Sequence, residues 1–255
     1  MISKERICGI PVHTAPHENV LADMDKNIKG PRRPMYISIT NTESMYHARR
    51  DSGHLNYIEN ARFSLCDGMG VIIGARLQGK NVRRFNGPIL MLKSCEYGAE
   101  RNWRHFFCGG KEGVADLLSG KLKQQFPNMT VAGTFCPPFR EMTADEEAEL
   151  IEKINDAQPD ILWVGLGLLK QERWIQKYIG RINVPWMIGV GAAFDYHAGT
   201  ARWAPTWIRN IGMEWLYRLY FEPRMLKRNY FSFIFLLEAV LESMFGRAPI
   251  IGRGD

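Results

Sequence analysis

Two spacings of apolar residues alternate along the chain, and each predicts a kind of element. Residues Arg6–Val12 and Pro34–Thr40 are short β-branched and aromatic runs that read as strands. Between them, Val20, Leu21, Met24 and Ile28 recur at helical spacing over His17–Lys29, and Gly30-Pro31 ends that helix. Asn41-Thr42-Glu43 is a polar turn with helix-start character. A helix from about His54 to Asn60 leads into a strand at Arg62–Cys66; Asp67-Gly68-Met69-Gly70 divides it from a helix at Val71–Gln78. Leu90–Ala99 is helical beyond the Gly87-Pro88 break.

From Arg104 the alternation becomes regular. Strands at Arg104–Cys108, Met129–Phe135, Asp160–Gly165 and Pro185–Val190 are separated by helices at Val114–Gln125, Thr143 to Asn155 and Lys170–Tyr178. Thr143-Ala-Asp-Glu146 has the form of a capping box, which fixes the start of the second of these helices. Such a β-α-β-α-β-α-β series implies a parallel sheet with right-handed crossovers and helices on both faces. The expected fold class is therefore α/β, a Rossmann-like parallel sheet flanked by helices.

After Pro205 the strand signal ends. Ile211–Tyr220 and Leu226–Phe245 predict two helices divided by Pro223, with Trp207, Ile211, Trp215 and Leu219 on one face at steps of four. Tyr230–Phe245 is heavily apolar, interrupted by Glu238 and Glu242 and flanked by Arg228 and Arg247. Two roles fit this segment: a core or oligomer-interface helix, or a helix lying in a membrane interface with basic groups toward anionic lipid.

The 255 residues suffice for a full core, and the net charge of +6 is concentrated: from Arg202 to Arg228, basic side chains interleave with tryptophan, tyrosine and phenylalanine. Cys8, Cys66, Cys95, Cys108 and Cys136 are scattered without C-x-x-C spacing, which speaks against a disulfide framework and a zinc site and for a reducing compartment. Charged residues at Lys4, Glu5 and Arg6 leave no secretory signal, and no run reaches the roughly 18 apolar residues of a spanning helix.

Candidate chemistry gathers at strand ends. Asp67 sits on a tight strand-to-helix turn, where a carboxylate is held rigidly enough for acid–base work or simply caps the next helix. Gly109-Gly110 opens a helix as a glycine pair that lets backbone N–H groups approach phosphate or ribose, or that makes a tight turn. Two apolar runs from Asp160 to Tyr196 each end in glycines followed by polar groups, the pattern by which an open sheet builds a ligand crevice.

Together these motifs resemble a family. Asp67-Gly68-x-Gly70, Pro137-Pro138-Phe139, Gly165-x-Gly167-x-x-Lys170-Gln171-Glu172-Arg173-Trp174, Gly189-Val190-Gly191-Ala-Ala-Phe194-Asp195 and Glu214-Trp215-x-x-Arg218-Leu219-x-x-Glu222-Pro223-Arg224 follow the order of the WecG/TagA/CpsF bacterial glycosyltransferases over roughly residues 30 to 230. The resemblance implies an inverting, metal-independent transfer from a UDP-sugar, with no cofactor, to a polyprenyl-diphosphate-linked saccharide in surface polysaccharide synthesis. The sugar would be N-acetylmannosamine, its uronic acid, or glucose. It also implies a cytoplasmic protein peripheral on the inner membrane face; the apolar C-terminal helix leaves a homo-oligomer open as its other use, and no nucleic-acid partner is expected. Residues 1–204 would form the glycosyltransferase core, with an N-terminal lobe to about 100 and a nucleotide-sugar lobe over 101–204, and 205–255 a membrane-associating helical appendage.

By the same resemblance Asp67 matches the general base. Gln171 and Glu172 match the donor-site pair and Asp195 the Phe-Asp carboxylate beside it; Arg218, Arg224 and Arg228 match the basic appendage that meets the lipid diphosphate. Thr40 and Asn41 match the polar end of an early strand, although the family's threonine position is Ile39 here. Other departures are Ile89 for an acidic residue, Leu168-Leu169 for a small residue and proline, and Trp203, preceded by Arg202, for an arginine. They motivate a second reading, a non-catalytic binding subunit of a polysaccharide assembly complex. A third, a soluble nucleotide-binding enzyme such as a dehydrogenase, is opposed by the missing G-x-G-x-x-G with its ribose-binding acid.

Overall fold

A computed structural model describes residues 2–222 and 225–246. The elements are β1(Ser3–Ile7), β2(Ile10–Thr14), α1(His17–Lys29), β3(Met35–Thr40), α2(Thr42–Ala48), α3(Ser52–Asn60), β4(Phe63–Cys66), α4(Met69–Leu77), α5(Gly87–Ala99), β5(Arg104–Gly109), α6(Val114–Gln125), β6(Thr130–Phe135), α7(Ala144–Ala157), β7(Ile161–Gly165), α8(Lys170–Tyr178), β8(Trp186–Gly189), α9(Ala193–Ala198), α10(Thr206–Asn210), α11(Glu214–Phe221) and α12(Met225–Phe245). The strand order is β1-β2-β4-β3-β8-β7-β5-β6. Only β1 and β2 pair antiparallel among the registers that define it; β2 with β4, β3 with β8, β8 with β7, β7 with β5 and β5 with β6 run parallel. The α/β class expected from the alternation is the one observed.

The chain divides into two compact units. One gathers Pro16–Ser38 and Gly87–Ala201. Its inner strands β7 and β8 are continuous apolar runs, because parallel strands covered on both faces carry no polar alternation, whereas the edge strand β6 is half-buried along its length. Trp103, Trp163 and Trp186 fill its core, and each indole N–H is satisfied: by Asp25 Oδ1 at 3.0 Å, His105 Nδ1 at 3.1 Å and the Met24 carbonyl at 3.1 Å. Helix α6 packs on β5 and β6, and α8 on β7 and β8. At α7 the predicted capping box is complete: Thr143 Oγ1 accepts from the Glu146 N–H while the Glu146 carboxylate accepts from the Thr143 N–H.

The other unit takes in Ile39–Asn86 and the described residues of the two chain ends, up to Ala15 and from Arg202. The single strand expected at Arg6–Val12 is instead a hairpin. Cys8 (φ 49°) and Gly9 (φ 81°) occupy its two-residue turn, and Ile7 faces Ile10 across it. Two consecutive left-handed residues match the right-handed twist of the strands they join, so the turn is favourable even though one is a cysteine. The helix expected at Ile211–Tyr220 begins later, at Glu214, with the short α10 before it. Gly212 between them has φ 81°, which breaks the helix, so Trp207 and Ile211 do not share one continuous face with Trp215 and Leu219.

Helix α12 is docked on α2 and α4 by an amphipathic division. Ile234, Phe235, Glu238 and Ala239 are buried, and Leu226, Tyr230, Phe233, Leu237, Met244 and Phe245 are exposed. Glu238, which interrupts the apolar run in sequence, points inward: Arg49 Nε lies 3.1 Å from its Oε2, and Arg50 pairs with Oε1. Arg49 also reaches Glu242 at 3.1 Å. Phe231 stacks on Tyr46 at 4.7 Å between centroids. No described helix is long and apolar enough to cross a membrane.

Candidate active site

Strand β4 ends at Cys66, and its next residue is fixed by a backbone bond in which the Asp67 N–H donates to the Thr40 carbonyl at 2.9 Å. The Asp67 side chain does not cap α4. Gly68 holds the N-cap position with φ 94°, and no side chain bonds the first turn. The carboxyl instead lines a cavity of about 320 Å³. A parallel bridge between Cys66 and Arg84 sets Arg84 beside it. Arg84 Nη2 binds Glu214 Oε2 at 2.6 Å, and its Nη1 donates to the Arg209 carbonyl at 3.2 Å.

Burial pushes the Asp67 pKa above the ordinary carboxylate range; Arg84 opposes the rise, Glu214 adds to it, and Arg228 and Arg218 oppose it. This is a carboxylate held among cations yet with a raised proton affinity, the condition of a group that must accept a proton.

The cavity wall collects residues distant in sequence. Asn41 and Thr42 come from the start of α2, Arg218 from α11, and Arg228, Asn229 and Ser232 from α12. Asn41 caps α2, its Oδ1 accepting from the Ser44 N–H at 2.9 Å. Thr42 Oγ1 donates to Ser232 Oγ at 2.8 Å. Arg228 Nε meets Glu43 Oε2 at 2.8 Å, and burial raises the Glu43 pKa despite that arginine. Arg218 Nε lies 3.8 Å from Glu222 Oε1, one turn on; Glu214, which could have been its partner one turn back, pairs with Arg84. Thr40 is fully buried, its hydroxyl 2.7 Å from Ser64 Oγ, and does not line the cavity. Arg224 lies outside the described residues.

Gly109, Gly110, Gln171, Glu172 and Asp195 belong to the other unit, at the ends of β5, β7 and β8. Gly109 has φ 130°, and a Cβ there would stand 2.7–2.8 Å from the Gly165 backbone. The Gly110 N–H donates to the Gly165 carbonyl at 2.9 Å, so the pair's geometry answers to its neighbouring strand. Gln171 and Glu172 are 5% and 4% exposed, not a solvated first turn. Gln171 Nε2 donates to Glu172 Oε1 at 3.1 Å, while its buried Oε1 has no partner among the described residues. Gly189 makes room for this side chain, since a Cβ there would lie 2.9 Å from the Gln171 Cδ. Asp195 sits in the first turn of α9, where its Oδ1 accepts from Thr200 Oγ1 at 3.0 Å.

Sequence reasoning missed Arg84, Asn229 and Ser232. Arg84 follows a helix in an unremarkable basic pair, and only the bridge to Cys66 brings it to Asp67; Asn229 and Ser232 fall on the face of α12 that docking turns inward. Among the described residues no group of three or more His, Cys, Asp or Glu side chains is placed to hold a metal ion.

Comparison with known proteins gives the geometry a context. The family model described as Glycosyl transferase WecG/TagA/CpsF family matches residues 5–249. A Bacillus subtilis (strain 168) protein named N-acetylglucosaminyldiphosphoundecaprenol N-acetyl-beta-D-mannosaminyltransferase is 26% identical over 225 residues, covering 88% of this chain and 86% of that protein. Proteins of the same name from Bacillus spizizenii and Staphylococcus aureus (strain NCTC 8325) are 28% and 26% identical, each covering 76% of this chain and 74% and 75% of their own lengths.

Proposed function

The chain belongs to the WecG/TagA/CpsF family of glycosyltransferases, and from that premise we propose that it moves a sugar from a UDP-sugar to a polyprenyl-diphosphate-linked saccharide, with inversion and without a metal. The observation that carries this reading is Asp67: a carboxylate released from capping, raised in pKa, and set in a cavity with Arg84, Arg218 and Arg228. The acceptor fits that cavity by charge, since guanidinium groups match diphosphate oxygens bidentately. The relatives' names, which specify a diphosphoundecaprenol-linked N-acetylglucosamine acceptor and an N-acetylmannosaminyl donor group, favour N-acetylmannosamine over its uronic acid or glucose.

In this scheme Asp67 takes the proton of the acceptor hydroxyl as its oxygen attacks the anomeric carbon of the donor. The bond to UDP breaks from the opposite side, which inverts the anomeric centre, and the electron pair leaves with the UDP phosphate. Gln171, Glu172 and Asp195 hold the nucleotide sugar: the buried Gln171 Oε1 offers an acceptor to a ligand N–H or O–H, and the Gly109-Gly110 turn shapes the strand end beside it. Asn41 orients the acceptor through its amide. Thr40 acts indirectly, its carbonyl fixing the backbone of Asp67. Arg224 is assigned with Arg218 and Arg228 to the lipid diphosphate. The protein works peripherally on the inner face of the cytoplasmic membrane.

The test is transfer by the purified full chain from a panel of UDP-sugars to a short-chain polyprenyl-diphosphate saccharide, with and without EDTA. Asp67→Asn should lower kcat by about 10²-fold or more, the scale of general-base catalysis. Full activity in that variant, or no transfer with any donor, overturns the proposal; loss of activity in EDTA overturns its metal independence.

A further inference from the structure

We infer that Glu214 is a positioning residue for the base: from the first turn of α11 it holds the Arg84 guanidinium beside Asp67 as half of an ion pair, so that Asp67 has a cation as neighbour without being gripped by it. The inference rests on Asp67 as the base, proposed above, and adds what sets the strength of that base.

The pairing is not the one that local spacing favours. Glu214 and Arg218 stand four residues apart on α11, the order in which a glutamate meets a cation one turn on. Glu214 Oε2 instead takes Arg84 Nη2 at 2.6 Å, from a residue 130 positions away, and Arg218 Nε turns to Glu222 Oε1 at 3.8 Å. Arg84 Nη1 donates to the Arg209 carbonyl at 3.2 Å. Both terminal nitrogens of Arg84, the fork with which a guanidinium grips a carboxylate, are thus drawn toward α10 and α11. The bridge to Cys66 meanwhile keeps Arg84 beside Asp67. All of these residues belong to one compact unit.

The consequence is electrostatic. Alone, the Arg84 charge would stabilise the ionised carboxylate and make Asp67 a weak base. Paired with Glu214, it is one end of a nearly neutral unit. The proton affinity of Asp67 is raised first by burial; Arg84 opposes that rise, Glu214 supports it, and Arg228 and Arg218 oppose it less than Arg84 does. Two further groups stand close. Arg209 of α10 lines the same cavity with its guanidinium 3.7 Å from the Trp203 ring centre. The Cys66 thiol is pushed up to about 12 by burial and then by Asp67, so it carries no charge near neutrality. Among the described residues, Glu214 is the acid that acts on Asp67, and moving it to its local partner Arg218 would give Arg84 over to the base.

The test is a charge cycle on the full chain. A carboxyl NMR titration with labelled aspartate, its Asp67 signal assigned through Asp67→Asn, reads the Asp67 pKa without turnover; the acid limb of kcat/KM reads it in transfer. Glu214→Gln leaves the Arg84 charge unbalanced and should lower the Asp67 pKa by about one unit or more, the scale of a single nearby charge. Arg84→Gln leaves the Glu214 charge unbalanced and should raise it. The double variant should fall between wild type and Arg84→Gln, because Arg84 acts on Asp67 more strongly than Glu214 does. It also leaves no lone buried charge, so it gives an answer where a single variant fails to fold. Glu214→Asp keeps the charge and should restore most of the shift. Single variants that move the pKa in one direction or not at all, or a double variant outside that interval, overturn the inference: a glutamate that only tethers α11 slows transfer at every pH and leaves the Asp67 titration in place. A kcat/KM limb that does not follow the NMR shifts counts against Asp67 as the base and leaves the charge pair's effect standing, so the two failures are told apart.

Discussion

If Asp67 is the base proposed above, it must be ionised to work in a place that disfavours its ionisation, and that leaves a signature in both rate and stability. The raised pKa of Asp67, caused first by burial, predicts that the acid limb of the kcat/KM profile lies above the range of an exposed carboxylate. The same shift fixes a sign for stability. Between the unfolded and the folded pKa the native state holds the extra proton, so stability falls as pH rises through that window. Asp67→Asn should therefore be more stable than wild type at neutral pH, with the gain fading toward acid, while transfer is lost. Urea midpoints at several pH values check this; an asparagine variant less stable than wild type at pH 7 contradicts it. Asp67 was legible in the sequence as an acid on a strand-end turn, but its partner Arg84 was not, because a one-residue bridge to Cys66 leaves no trace in spacing.

Elements show the same limit at larger range. Helices α1, α6 and α8 begin and end where apolar periodicity and their flanking breakers put them, and the α7 capping box closes as its four residues predict. The β1–β2 turn escaped because left-handed backbone at Cys8 is unusual for a residue with a Cβ. The direction of Glu238 escaped because a glutamate in an apolar run reads as an interruption, and only the chain fold brings Arg49 and Arg50 to it. Removing one member of a buried ion pair costs about 3–5 kcal/mol, since the partners stay buried and uncompensated. Glu238→Ala should lower stability on that scale, Glu96→Ala, in a surface pair, by about 1 kcal/mol or less. Arg228 and Asn229 ride on the same helix, so transfer should fall in Glu238→Ala and return partly with Glu238→Gln. In the other unit, Gly109→Ala drives a Cβ into the Gly165 backbone from a left-handed conformation. It should cost about 1–3 kcal/mol, read as a drop in melting temperature.

At the scale of the whole molecule, the surface carries an apolar excess that the interior does not need. Trp207, Trp215, Tyr220, Leu226, Tyr230, Phe233 and Phe245 are each more than half exposed, and all fall after Arg202, the first four inside the Arg202–Arg228 stretch where the sequence interleaves aromatic and basic residues and the last three beyond it on α12. Aromatic side chains with neighbouring arginine and lysine suit a bilayer interface, each cation adding attraction to anionic lipid. Deleting everything from Pro205 is a poor test of such contact. It removes the inner face of α12, with Phe235 and Ala239, and leaves Arg49 and Arg50 without Glu238, so loss of binding could follow from unfolding. The outer face can be changed alone. Leu226→Ser/Tyr230→Ser/Leu237→Ser keeps every buried residue of α12, and should leave thermal stability within about 1 kcal/mol of wild type, as exposed substitutions do. If the C-terminal helices meet lipid, wild type floats with vesicles containing phosphatidylglycerol, floats less as salt is raised, and the triple variant stays in the dense fraction at all salt concentrations. Equal flotation of the two proteins shows that the outer face of α12 is not a lipid-binding surface.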